Sequence, residues 1–212
     1  PPAHSTDEGY EMNRLQFDDI RDRHIGRAIR MQAEQNGDTR FLVFDRTVYT
    51  FHETNVEVNR LAAGLRRLGI GRGDRVVFYM GSAPEVMFLV LAVNKLGAVW
   101  VPVNTDYKGE WLQDTINRAR ARLLVTDEAH AERVAAVADG LAVERIAILG
   151  EPAHLAGSIA FGELYAGSAT EPDLGGLGYG DVSSVLWTSG TTGRSKGVMQ
   201  SHNVWFESAF GG

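Results

Sequence analysis

Residues 188–198 bring together more potential chemistry than any other stretch of this chain: Thr188, Ser189, Gly190, Thr191, Thr192, Gly193, Arg194, Ser195, Lys196, Gly197 and Val198. Five hydroxyl side chains, three glycines and one lysine stand between the apolar run Val185-Leu186-Trp187 and a second apolar stretch that opens at Val198. Glycine admits positive φ and lets the backbone come close to a ligand. Successive backbone N–H groups, helped by hydroxyls, can then line a concavity suited to an anion. Lys196 adds a mobile ammonium with three donors. Such a loop is a phosphate cradle, and a nucleoside triphosphate is the ligand expected to use it. A plain solvated Gly/Ser/Thr turn is the simpler alternative, but it leaves the lysine and the flanking apolar runs unexplained.

A nucleotide-binding P-loop, Gly-x4-Gly-Lys-Ser/Thr at the start of a helix, does not fit. Ser195 stands where that motif needs its second glycine, and Gly197 where it needs a hydroxyl for magnesium. The residues from Val198 to His202 read as a short strand rather than a helix start. Gly-x-Ser-x-Gly is absent around Ser189, so no nucleophile elbow is present there.

The loop resembles the phosphate-loop signature of the adenylate-forming superfamily, Tyr-Thr-Ser-Gly-Thr-Thr-Gly-x-Pro-Lys-Gly-Val, carried by acyl-CoA synthetases, peptide-synthetase adenylation domains and luciferases. Agreement runs from Thr188 to Gly193 and again from Lys196 to Val198. Trp187 replaces the usual tyrosine or phenylalanine, and Ser195 replaces the proline before the lysine. Serine restores a backbone donor and frees φ. Upstream, Thr50-Phe51-His52-Glu53 resembles the opening of the family's first major helix, with Thr54 in place of leucine. Asn94-Lys95-Leu96-Gly97-Ala98 followed by Pro102-Val103 is similar to its Leu-Lys-x-Gly-Ala motif. The likeness extends over roughly residues 15–212.

The elements that must carry the loop read as an α/β protein with a mainly parallel sheet flanked by helices, the architecture that alternating strands and helices imply. Strands are expected at 75–80, 99–103, 122–126, 145–149 and 183–188, with helices at 84–96, 110–120 and 130–138 between them. A helix is expected near 19–35, and a hairpin turns at Asp45-Arg46. Thr50 and Glu53 form a candidate capping box for a helix whose apolar face is Val58, Leu61, Ala62, Leu65 and Leu68, closed by Gly69. Gly97 closes the next helix in the same way. Residues 167–180 read as a surface connection. A disordered leader is expected at 1–12, and the resemblance implies that 13–212 is the N-terminal subdomain of an AMP-binding domain, with the C-terminal lid expected outside this sequence.

Composition narrows the function further. A net charge of −6 without a basic stripe argues against nucleic-acid binding. The cluster Arg118-Ala119-Arg120-Ala121-Arg122 reads as a cationic helix end. With no cysteine there is neither a disulfide nor a thiol nucleophile, and the six histidines show no metal-ligand spacing. Residues 86–103 are apolar, but Asn94, Lys95, Gly97 and Pro102 interrupt them, so a buried helix and strand are expected rather than an integral membrane segment. No secretory signal is recognised, and a cytoplasmic location is expected. Asp18-Asp19 and Asp127-Glu128 read as helix starts.

The resemblance implies a ligase acting on a small-molecule carboxylic acid, ATP and CoA, most like the fatty-acid and acyl-CoA ligases. It assigns Thr188, Ser189, Gly190, Thr191, Thr192, Gly193 and Lys196 to the ATP phosphates, with Lys196 stabilising the departing charge. Thr188 is the candidate Mg2+ contact, and His202 is either a pocket residue or a helix-start histidine. The adenylation lysine and the motifs for adenine and ribose lie beyond residue 212, so this piece is expected to be inactive alone. An amino-acid adenylation domain and a non-catalytic binding or homodimerisation module remain the alternatives.

Overall fold

The computed structural model describes residues 15–151, 155–188 and 195–210; the expected leader at 1–12 lies outside them. In chain order the elements are α1 (Ile25–Gln35), β1 (Arg40–Phe44), β2 (Thr47–Thr50), α2 (Phe51–Arg67), β3 (Arg75–Tyr79), α3 (Pro84–Lys95), β4 (Val99–Pro102) and α4 (Gly109–Ala119). They continue with β5 (Leu123–Asp127), α5 (Glu128–Ala135), β6 (Arg145–Leu149), β7 (Ile159–Ala160), β8 (Val182–Thr188), β9 (Lys196–Ser201) and α6 (His202–Phe210).

β1 and β2 form the expected hairpin, with Asp45 taking positive φ at the turn. The other strands make one sheet in the order β7-β6-β5-β3-β4-β8-β9. Every neighbouring pair in it is parallel except β8–β9, which is antiparallel.

β3 lies centrally and is buried on both faces, as its Val-Val-Phe-Tyr run requires. Val76 and Phe78 pack with Leu61, Leu65, Phe88 and Leu89 of α2 and α3. Val77 and Tyr79 pack on the opposite face with Leu112, Ile116, Ala131 and Val134 of α4 and α5. Side chains alternate across a strand, so one short strand serves two apolar layers and fixes the sheet between helices.

Local signals set the helix ends. Thr50 Oγ1 accepts from Glu53 N at 3.1 Å while Glu53 Oε2 accepts from Thr50 N at 2.9 Å, completing the capping box. At the other end of α2, Gly69 (φ +82°) donates to Arg66 O and Ile70 N donates to Leu65 O, the paired bonds of a Schellman stop. Gly97 (φ +66°) repeats this after α3.

Other boundaries differ from expectation. The single helix expected over 19–35 is a 3-10 turn at Ile20–Asp22 followed by α1, because extended His24 interrupts it and caps α1 through Nδ1, accepting from Gly26 N at 3.1 Å. The helix expected from 130 begins at Glu128, capped by Asp127, and ends at Ala135. β7 and the 3-10 turn at Phe161–Tyr165 were not foreseen; two residues of strand carry no readable period. That turn lies so close to α2 that a Cβ on Gly64 would stand 1.8 Å from Leu164 O.

Residues 167–180 prove more than a surface connection. Leu174 and Leu177 are buried, and Glu171 reaches the ammonium of Lys95, whose side chain is itself fully buried. Lys95 Nζ donates to Asn55 Oδ1 at 2.7 Å, Asn59 Oδ1 at 2.8 Å and Glu171 Oε1 at 2.5 Å. Burial lowers Lys95 to about 8, opposed by the hydrogen bond to Glu171. Residues 86–103 fall into α3 and β4, and among the described residues no helix is long and apolar enough to cross a membrane.

Candidate functional site at the carboxyl end of the sheet

β8 runs parallel to β4 and ends at Thr188, so that residue lies at the same end of the sheet as Tyr79, Pro102 and Asp127. In open α/β sheets this is the end at which ligands bind. β9 returns antiparallel with Thr188 opposite Lys196 and Trp187 opposite Gly197. Thr188 and Lys196, the last residue of β8 and the first of β9, therefore flank the hydroxyl- and glycine-rich stretch. Thr188 Oγ1 donates to Lys196 O at 3.3 Å across its base. Both residues are exposed there. Ser189, Gly190, Thr191, Thr192 and Gly193 lie outside the described residues.

The third glycine has a packing reason. A Cβ on Gly197 would meet Val185 Cγ1 at 2.9 Å and Trp187 Cζ3 at 3.3 Å, so its small size lets β9 close onto the β8 side chains.

Ser195, just before the lysine, is buried and held from α4 and the loop preceding it. Arg118 Nη2 donates to Ser195 O at 2.9 Å, and the same guanidinium lies 5.3 Å from the centre of the Trp187 ring. Asp114, one turn earlier on α4, sits 3.5 Å from Arg118. Tyr107 Oη and Ser195 Oγ are 3.3 Å apart, and the Tyr107 ring stacks on Trp111 at 4.9 Å. Tyr79 Oη, from β3, meets Tyr107 O at 2.7 Å and Thr105 O at 3.1 Å. The cluster at 118–122 does mark a helix end, with Arg120 in the left-handed region after α4. Sequence reading missed that Arg118 reaches a loop 77 residues away; neither periodicity nor spacing reports such a contact.

A second set of groups stands at the carboxyl ends of β3 and β5. Asp127 accepts from His130 N at 3.0 Å and from Gly81 N at 2.7 Å, and its other contact is His130 Nδ1 at 2.5 Å. Arg133 Nη1 donates to Thr105 O at 2.6 Å. Asp127 is thus the expected helix start, and it also joins the loop after β3 to α5.

His202 opens α6. Its ring is wholly buried and packs at a tilt of 38° against His24, with centroids 3.8 Å apart. Nδ1 accepts from Ile25 N at 3.2 Å, and its backbone N–H donates to Asp181 O at 3.1 Å. In both rings Nε2 is buried without a hydrogen-bond partner. Burial pushes His202 down to about 4, with Asp181 opposing, and His24 down to about 3 through burial, His202 and Arg27. The geometry gives His202 a helix-start role that joins α6 to α1.

Among the described residues no group of three or more His, Asp or Glu side chains is placed to hold a metal ion. Thr188 offers one exposed neutral oxygen. That suits a Mg2+ ion which arrives on phosphate oxygens, because this ion keeps most of its shell from substrate and water.

Comparison with known proteins bears on the family and the fold. The family model described as AMP-binding enzyme matches residues 29–212. A feruloyl-CoA synthase from Amycolatopsis sp is 36% identical over 156 residues, covering 74% of this chain and 29% of the relative. A plipastatin synthase from Bacillus subtilis (strain 168) is 27% identical over 191 residues, 90% of this chain and 7% of that protein. The fold matches the crystal structure of the anthranilate CoA ligase AuaEII in complex with anthranoyl-AMP, with a TM-score of 0.80 at 22% identity, over 87% of this chain and 35% of that one. The chain therefore spans about a third or less of each of these proteins.

Proposed function

The chain belongs to the AMP-binding enzyme family, and on that premise we propose that it is the N-terminal portion of the adenylate-forming domain of an acyl-CoA synthetase. A substrate carboxylate oxygen attacks the α-phosphorus of ATP; the bond to the bridging oxygen breaks and pyrophosphate leaves with the electron pair. The CoA thiolate then attacks the acyl carbonyl, and AMP departs as the thioester forms.

The observation that carries this reading is the position of Lys196. It stands opposite Thr188 at the carboxyl end of the sheet, its side chain exposed and the peptide before it held by Arg118. An ammonium carried there stabilises charge that develops on the leaving phosphates. Ser189, Thr191 and Thr192 would supply hydroxyl donors, and Gly190 and Gly193 would give the backbone N–H groups room to approach. Mg2+ bound at Thr188 with the phosphates would offset their charge.

This portion alone is proposed to be inactive. Each charged hydrogen bond contributes about 1.5–3 kcal/mol, against an association cost of about 4–15 kcal/mol. One lysine and a few amides do not hold ATP against that cost.

A second reading, an amino-acid adenylation domain that loads a carrier protein, draws support from the likeness to the plipastatin synthase. The higher identity to feruloyl-CoA synthase favours CoA as acceptor. The deciding experiment incubates the whole protein with ATP, magnesium and a panel of aryl, acyl and amino acids, then measures pyrophosphate release and thioester mass. Pyrophosphate release that depends on a carboxylate, followed by an acyl-CoA product, is expected. Release without any carboxylate would refute the adenylation reading, and thioester on a carrier thiol alone would select the second.

A further inference from the structure

The chain departs from the phosphate-loop signature at Trp187 and Ser195, and both residues meet the same side chain. Arg118 lies over the Trp187 ring and donates to Ser195 O. A serine in place of proline leaves the residue before Lys196 with a free φ. Something else must then fix the peptide that carries the lysine.

Resting on the phosphate-loop reading, we propose that Arg118 is a positioning residue: it clamps the peptide between Ser195 and Lys196 and so aims the ammonium. The parts of the clamp are on the described chain. The carbonyl accepting from Arg118 belongs to the peptide group whose nitrogen is that of Lys196, so the bond at 2.9 Å restrains the backbone one residue from the working side chain. Trp187, on the neighbouring strand, offers a ring face that attracts the guanidinium. Asp114 holds the guanidinium from the α4 side. Tyr107 meets the serine hydroxyl and is itself braced by Trp111 and by Tyr79 of the central strand. Loop position is thereby referred to the rigid sheet through two routes. A planar, five-donor guanidinium suits this double contact; a lysine ammonium at 118 cannot both stack and point a fixed donor.

The test compares Arg118→Ala, Arg118→Lys and Arg118→Ala/Ser195→Pro in the whole protein, with Lys196→Ala run in parallel. Hydrogen exchange of the peptide covering residues 186–200 is read beside the kcat and ATP KM of pyrophosphate release. Arg118→Ala is expected to speed exchange at least tenfold in that peptide alone and to lower kcat about tenfold or more, with KM changed less than threefold. Arg118→Lys should recover only part of the loss, and proline at 195 should restore most of it by limiting φ.

Unchanged exchange in 186–200 together with kcat within twofold overturns the clamp, even if Lys196→Ala is inactive. An active Lys196→Ala overturns the phosphate-loop reading instead, and the exchange data then judge the clamp separately. Loss of exchange protection throughout the sheet would also overturn it, by making Arg118 a general structural residue.

Discussion

The packed pair His24 and His202 gives the fold a stability that depends on pH, with a sign and size that follow from its burial. Both rings are inaccessible, and burial is the main cause that pushes them from 6.5 down to about 3 and about 4. The unfolded chain therefore takes up protons below 6.5 that the folded chain refuses, so stability falls as the solution is acidified. The loss starts just under pH 6.5 and continues to about 4 for His202 and about 3 for His24. One pH unit for one group corresponds to about 1.4 kcal/mol. Going from pH 7 to 5 thus costs about 2 kcal/mol for each ring and about 4 kcal/mol for the pair, since both folded rings are still neutral at pH 5. The charged groups facing the pair, Arg27 and Asp181, oppose one another. Urea unfolding at pH 7 and pH 5 measures the slope. Asparagine at both positions keeps a side-chain acceptor for the Gly26 and Ile25 N–H groups and removes the titration. His24→Asn/His202→Asn is expected to flatten the slope by that amount; a double variant as pH-sensitive as the parent refutes the reasoning.

Other perturbations follow from the packing. Lys95→Met removes one partner of a buried ion pair, taking the donor from Asn55 Oδ1 and Asn59 Oδ1 and the cation from Glu171; a loss of about 3–5 kcal/mol is expected in urea unfolding, with proteolysis appearing first in residues 167–180. Gly64→Ala places a methyl against Leu164 O and should cost about 1–3 kcal/mol, whereas Gly71→Ala, with open space at its Cβ, should leave the melting temperature within a degree or two. Thr50→Ala opens the capping box of α2 and should cost about 1 kcal/mol, largely recovered by Thr50→Ser; equal loss in both variants would contradict the capping role.

The fold was legible wherever local rules act alone. The capping box at Thr50 and Glu53, the glycine stops at Gly69 and Gly97, and the doubly buried run at 75–79 follow from hydrogen-bond satisfaction and apolar period within a few residues. Those signals set the strands and helices that carry the loop. What escaped depends on partners distant in sequence. Glu171 looks like one more charge in a polar connection until Lys95 is seen buried beneath it. Arg118 looks like a helix-end cation until β8 and β9 bring Trp187 and Ser195 to it. His24 looks like part of a continuous helix because a capping histidine has no strong local signature.

The central claim is that the segment between Thr188 and Lys196 grips the polyphosphate of ATP. The most direct test is carboxylate-dependent exchange of labelled pyrophosphate into ATP by the whole protein, comparing the parent with Lys196→Ala and Lys196→Arg at saturating carboxylate. Loss of one donor that stabilises developing charge lowers the rate about 100- to 1,000-fold, so Lys196→Ala should fall by that factor while Lys196→Arg keeps a measurable part. Exchange by Lys196→Ala within threefold of the parent would contradict the account.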